Sequence, residues 1–126
     1  SLHDALPISA EHKGATVYSP LAQGLLTDRY LNGIPEDSRA NRQDSPFLSV
    51  EDVDQRLAQI KQLNQIAESR GQSLAEMSLA WDLRNEVVAS VIIGASRVSQ
   101  LEDNLQVLDH LDFNDSELAQ IDQITK

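Results

Sequence analysis

The segment Val87-Val88-Ala89-Ser90-Val91-Ile92-Ile93 limits what this chain can fold into more than any other stretch. It is apolar almost without alternation, the pattern of a strand covered on both faces in a parallel sheet. Such a strand needs apolar neighbours along both edges and over both faces. One other segment supplies a companion: Ala15-Thr16-Val17-Tyr18 is β-prone and is halted by Ser19-Pro20, because proline cannot donate to a sheet ladder. Two parallel strands do not make a stable sheet by themselves. The sequence therefore reads as an α/β slice of something larger.

Helical signals fill the space around these strands. Leu21 to Tyr30 reads as a turn followed by a short helix, and Leu31 to Ser49 as a loop rich in Asn, Gly, Pro, Ser and Asp. A loop of that length is usually functional or disordered. Ser49 predicts an N-cap, and Val53, Leu57, Ile60, Leu63, Ile66 and Ala67 mark one helical face that Gly71 closes as a C-cap. Ser73 and Glu76 form a capping box ahead of Leu74, Met77, Leu79, Ala80, Trp81 and Leu83; Met77 and Trp81 are assigned to the core. Arg97 to Leu108 continues as helix with Ser96 as its cap. Asn114 and Glu117, with Phe113 and Leu118 as a hydrophobic staple, start a last helix near Asp115. The order strand, loop, two helices, strand, helix, helix predicts parallel βα units.

Charge narrows the function classes. The 126 residues carry 20 acidic and 10 basic side chains, a formal net charge of −10. Nucleic-acid binding draws on counterion release by basic side chains, and an acidic membrane surface repels such a chain, so neither partner is expected. There is no cysteine, and His3, His12 and His110 are scattered, so no metal site is expected. No apolar run approaches the ~20 residues that cross a bilayer. His3, Asp4 and Glu11 interrupt any signal peptide, and a cytoplasmic location is expected. Residues 1–9 open with Ser1-Leu2-His3-Asp4-Ala5-Leu6-Pro7-Ile8, which has no periodicity and resembles a translated sequencing adapter. They are expected to be a non-native leader, with the native chain starting upstream and residues 10–126 holding the fold.

Strands of α/β folds deliver functional groups at their C-terminal ends. Ser19-Pro20-Leu21-Ala22-Gln23-Gly24 follows the first strand and Gly94-Ala95-Ser96-Arg97 the second. Glycine permits close backbone approach, a serine-capped helix start offers N–H groups, and Arg97 adds a planar fork that matches phosphate. Gln100, Asp103 and Asn104 follow on the next turns. Two readings stand side by side: a phosphate site, or an ordinary strand-to-helix turn with a solvated arginine. The GxGxxG spacing of a dinucleotide fold is missing.

A wider set of segments narrows the choice. Tyr18-Ser19-Pro20-Leu21-Ala22-Gln23-Gly24-Leu25-Leu26-Thr27-Asp28-Arg29-Tyr30, Gly33-Ile34-Pro35 with Ser38-Arg39, and Ile93-Gly94-Ala95-Ser96-Arg97 with Gln100-Leu101 and Asn104 resemble the aldo-keto reductases. Within that family they are most similar to the branch of L-glyceraldehyde 3-phosphate reductases and potassium-channel β subunits. The resemblance implies the C-terminal portion of a (β/α)8 TIM barrel, about strands 7 and 8 with their helices. It implies NADP as cofactor and a small carbonyl substrate for the whole protein. By position, Ser19, Pro20, Leu21, Ala22 and Gln23 match the pyrophosphate turn, Arg29 a basic residue near the phosphates, and Arg39 the arginine of a loop that closes over the cofactor. Gly94, Ser96, Arg97, Gln100 and Asn104 match the pocket for the 2′-phosphate and adenine. Asp103 stands where the family commonly has glutamate. The family's catalytic aspartate, tyrosine, lysine and histidine belong to the first half of the barrel, so no catalytic residue is expected here. Two alternatives remain open: a non-enzymatic NADP-binding regulatory subunit, and a small helical protein without ligand.

Overall fold

The computed structural model describes residues 8–33, 35–36 and 50–126. Strand β1 (Ala15–Tyr18) is followed by two 3₁₀ turns, Ala22–Gly24 and Asp28–Tyr30. Helices α1 (Val50–Ser69) and α2 (Leu74–Leu83) lead to strand β2 (Val88–Ile92). Helix α3 (Val98–Leu105), a 3₁₀ turn at Gln106–Asp109 and helix α4 (Asp115–Thr125) complete the order. The strands pair in parallel, with Val17 opposite Val91 and Tyr18 opposite Ile92. A parallel pair needs a crossover of a dozen or more residues, and α1 and α2 lie on it.

The register slips between Ala15 and Thr16, which face Val88 and Ser90, so Ala89 is an extra residue on β2. That bulge puts Ala89 and Ser90 both on the exposed side, and only Val88 and Val91 within β2 are half-buried. The uninterrupted burial that its composition predicts is therefore not met. With a single partner strand, one face of β2 packs on the helices while Ile92 stays 59% exposed. Gly14 lies against the bulge: a Cβ there would sit 2.9 Å from the Ala89 Cβ.

Helix α2 is apolar nearly all round because it sits between two clusters. Leu74 and Met77 join Val53, Ile60, Ile66 and Ala67 of α1, Ile121 of α4, and Leu25 and Tyr30. Leu79 and Ala80 join Val107, with Val91 and Ile93 packed against them. Met77 is a buried core residue, as its spacing predicts, while Trp81 is half-buried and packs against the same cluster.

Caps set the helix ends. Gly71, at φ +70°, closes α1 with its N–H on the Glu68 carbonyl, while the Gln72 N–H reaches Ala67, both at 3.0 Å. This is a complete Schellman motif. Ser73 accepts from the Glu76 N–H at the start of α2. Asn114 and Glu117 form a reciprocal capping box at α4. The expected cap at Ser49 lies outside the described residues. The short helix expected between Leu21 and Tyr30 is broken into two 3₁₀ turns, because Ala22, Gln23 and Gly24 all take positive φ. Likewise the helix expected to reach Leu108 ends at Leu105 and tightens into a 3₁₀ turn.

Arg70 ties α4 to the end of α1. Its guanidinium is almost wholly buried, pairs with Glu117, donates to the Asp112 carbonyl at 2.8 Å and, through Nε, to Gln72 Oε1 at 2.9 Å. It also lies 3.9 Å over the Phe113 ring, which meets Trp81 edge-on. Glu117 is thus both half of the capping box and the partner of a buried cation.

Two substitutions test this packing. Arg70→Met removes the charge Glu117 compensates and the bond to Asp112, and should cost about 2–4 kcal/mol in urea unfolding; a loss under ~0.5 kcal/mol contradicts the role given to Arg70. Gly14→Ala should destabilise by about 1–3 kcal/mol from overpacking, with recovery when Ala89→Gly is added. A stabilised Gly14→Ala variant would show that the bulge yields freely.

Candidate functional site

Because β1 and β2 run parallel with Tyr18 beside Ile92, the chain leaves the sheet twice at one end. The two turns that follow line one groove of about 1180 Å³. Ser19, Pro20, Leu21, Gln23 and Arg29 reach it from the first turn. Gly94, Ser96, Arg97, Gln100, Asp103 and Asn104 reach it from the second and from α3. Ala22 does not line it; its side chain is half-buried against the larger core cluster. Arg39 lies outside the described residues.

The first turn is built from costly backbone. Ser19, Ala22 and Gln23 take φ of 53°, 47° and 62°, and Gly24 takes 93°. The left-handed region costs a non-glycine residue about 1–2 kcal/mol. Three such residues within one short turn are a strained arrangement of the kind that gathers at ligand sites. Internal bonds hold the shape: Ala22 N–H to Ser19 at 3.0 Å, Gly24 N–H to Leu21 at 2.9 Å and Leu26 N–H to Leu21 at 3.2 Å. The Thr27 hydroxyl donates to the Gly24 carbonyl at 2.7 Å and accepts from the Arg29 N–H at 3.2 Å. Beneath the turn, Leu25 and the wholly buried Tyr30 anchor it to α1 and α2.

The second turn differs from its expected form. Arg97, not Ser96, is the N-cap residue of α3, and no side chain caps the helix. The Ser96 N–H and Oγ both turn to Gln100 Oε1, at 2.9 and 3.1 Å. No acidic residue lies in the first turn of α3 and its N-cap side chain makes no capping bond, so among the described residues the N-terminal N–H groups lack a cap. One turn further on, Asn104 is 7% exposed and lines the groove, and no hydrogen-bond partner among the described residues meets its amide.

Sequence reasoning missed part of the lining. Ser73 and Ala75 form a wall at the start of α2, although Ser73 is legible only as a cap. Tyr18, Ile92 and Ile93 come from the strand ends, and Asp28 and Asp103 add negative charge beside Arg29 and Arg97. Asp82, whose carboxyl is pushed up from its ordinary range by burial against the opposing pull of Arg84, does not line the groove. Among the described residues, no cluster of three metal-ligating side chains occurs, and no helix is long and apolar enough to cross a membrane.

Comparison with known proteins gives one consistent match. The aldo/keto reductase family model covers residues 8–126. The L-glyceraldehyde 3-phosphate reductase of Escherichia coli O157:H7 is 50% identical over 113 residues, spanning 87% of this chain and 33% of that protein. A putative voltage-gated potassium channel subunit beta of Schizosaccharomyces pombe is 36% identical over 126 residues, spanning 96% of this chain and 37% of that protein. A probable subunit of the same kind from Arabidopsis thaliana is 40% identical over 107 residues, covering 82% of this chain and 33% of that protein. The chain thus spans about a third of the length of the relatives it matches. The family match covers both turns of the groove, and this chain belongs to the aldo/keto reductase family.

Proposed function

We propose that the groove holds NADP(H) and that the whole protein is an oxidoreductase reducing an aldehyde or ketone. The observation that carries this reading is that both strand-end turns open into one groove, which the Asn104 amide also lines. A ligand with ring nitrogens and phosphates would satisfy such an amide and meet the open start of α3 together. In this reading Ser19 to Gln23 and Arg29 hold the pyrophosphate, Arg97 and Ser96 hold the 2′-phosphate, and Gln100 and Asn104 face the adenosine. Asp103, on the same helix, would meet the ribose or adenine edge. Arg39 is proposed to close over the cofactor. When bound, the cofactor supplies the hydride.

This chain's own residues bind and orient; none is proposed as catalytic. Tyr30 is wholly buried beneath the first turn, and Tyr18 stands 79% exposed at the strand end, with no lysine or histidine among the described residues that line the groove. The sheet is proposed to be part of a (β/α)8 barrel. Support comes from two apolar surfaces: the Tyr18 and Ile92 face of the sheet, and the outward stripe of Val98, Leu101, Leu105 and Leu108. Further strands and helices of one barrel would cover both. A cytoplasmic location is proposed with it. The similarity to two β-subunit relatives supports a second reading, a non-enzymatic regulatory subunit using the same cofactor groove.

Arg97→Glu tests the cofactor assignment. Loss of a charge-assisted contact is worth about 1.5–3 kcal/mol, so NADPH should bind roughly ten- to a hundredfold more weakly. NADH binding, measured by the same fluorescence titration, should stay within about twofold. Equal weakening of both removes the 2′-phosphate from Arg97.

A further inference from the structure

We propose that Gln100 is a built-in competitor for the anion at the Ser96 turn, an inference that rests on the cofactor reading above. The observation is a three-centre contact. Gln100 Oε1 accepts from the Ser96 backbone N–H at 2.9 Å and from the Ser96 hydroxyl at 3.1 Å. One side-chain carbonyl therefore takes both donors that a phosphate oxygen would use at this serine. Ser96 precedes Arg97, the N-cap residue, and Gln100 in the first turn of α3 folds back onto it, so the contact is local to the start of the helix.

The consequence is selective. A lone phosphate gains two neutral donors and must displace a carbonyl already seated on them, so its net gain is small. A dinucleotide also held at the Ser19 to Gly24 turn brings its phosphate to Ser96 at high effective concentration and displaces the carbonyl readily. Gln100 thereby favours ligands that span both turns over phosphate alone. Gln100 is a positioning residue in this account, acting through Ser96.

Gln100→Met keeps the length of the side chain and removes the acceptor. In the 126-residue chain, the Ser96 amide proton resonance should move in phosphate-free buffer. Inorganic phosphate should then bind about three- to tenfold more tightly, with the gain reduced in the Ser96→Ala, Gln100→Met double variant. Gln100→Glu, a stronger acceptor, should shift the Ser96 resonance the opposite way and weaken phosphate. An unmoved Ser96 amide, or phosphate binding unchanged or weaker in Gln100→Met, overturns the proposal. A separate outcome concerns the cofactor: phosphate responding as described while NADPH binds neither wild type nor Gln100→Met would keep the competition and remove the dinucleotide reading.

Discussion

Parallel pairing of β1 with β2 is the constraint from which the site follows, because it obliges the chain to leave the sheet twice at the same end. The register that puts Tyr18 beside Ile92 ends both strands at one level, so two turns far apart in sequence open into one groove. An antiparallel pairing of the same strands would send the turns to opposite ends. The bulge at Ala89 and the glycine opposite it fix that register, since a slip of one residue would exchange the packed and exposed faces of β2.

The helices supply rigidity behind the groove. Helix α2 lies between two clusters and joins them: its Leu74 and Met77 meet α1, and its Leu79 and Ala80 back β2. Arg70 draws the start of α4 onto the end of α1, and the same Glu117 that neutralises it caps α4. Such a buried pair contributes position more surely than stability, since its desolvation offsets much of its attraction. The strain in Ser19, Ala22 and Gln23 is borne by this framework, with Tyr30 and Leu25 locked into the core beneath them.

Much of this was legible in the sequence, for identifiable reasons. The 3.6-residue spacing of Val53, Ile60 and Ala67, the Gly71 stop and the Asn114 box are local signals, and the structure meets each of them. Both strand-end turns were legible because chemistry gathers where parallel strands end. What escaped depends on tertiary context. The composition of Val87 to Ile93 predicts full burial, but burial depends on neighbours, and with one partner strand Ile92 is exposed. Ser96 carries the composition of a cap, yet Gln100 outcompetes the helix for it. Ser73 serves both cap and groove wall, a double role that spacing alone does not disclose.

The central claim is that one dinucleotide touches both turns at once. Titrating NADPH into the isotope-labelled chain and following backbone amide resonances tests it most directly. The account predicts that Ser19 to Gly24 and Gly94 to Arg97 shift together along one binding curve, with the Asn104 side-chain amide following. Shifts confined to one turn, or two turns responding with different affinities, would contradict it.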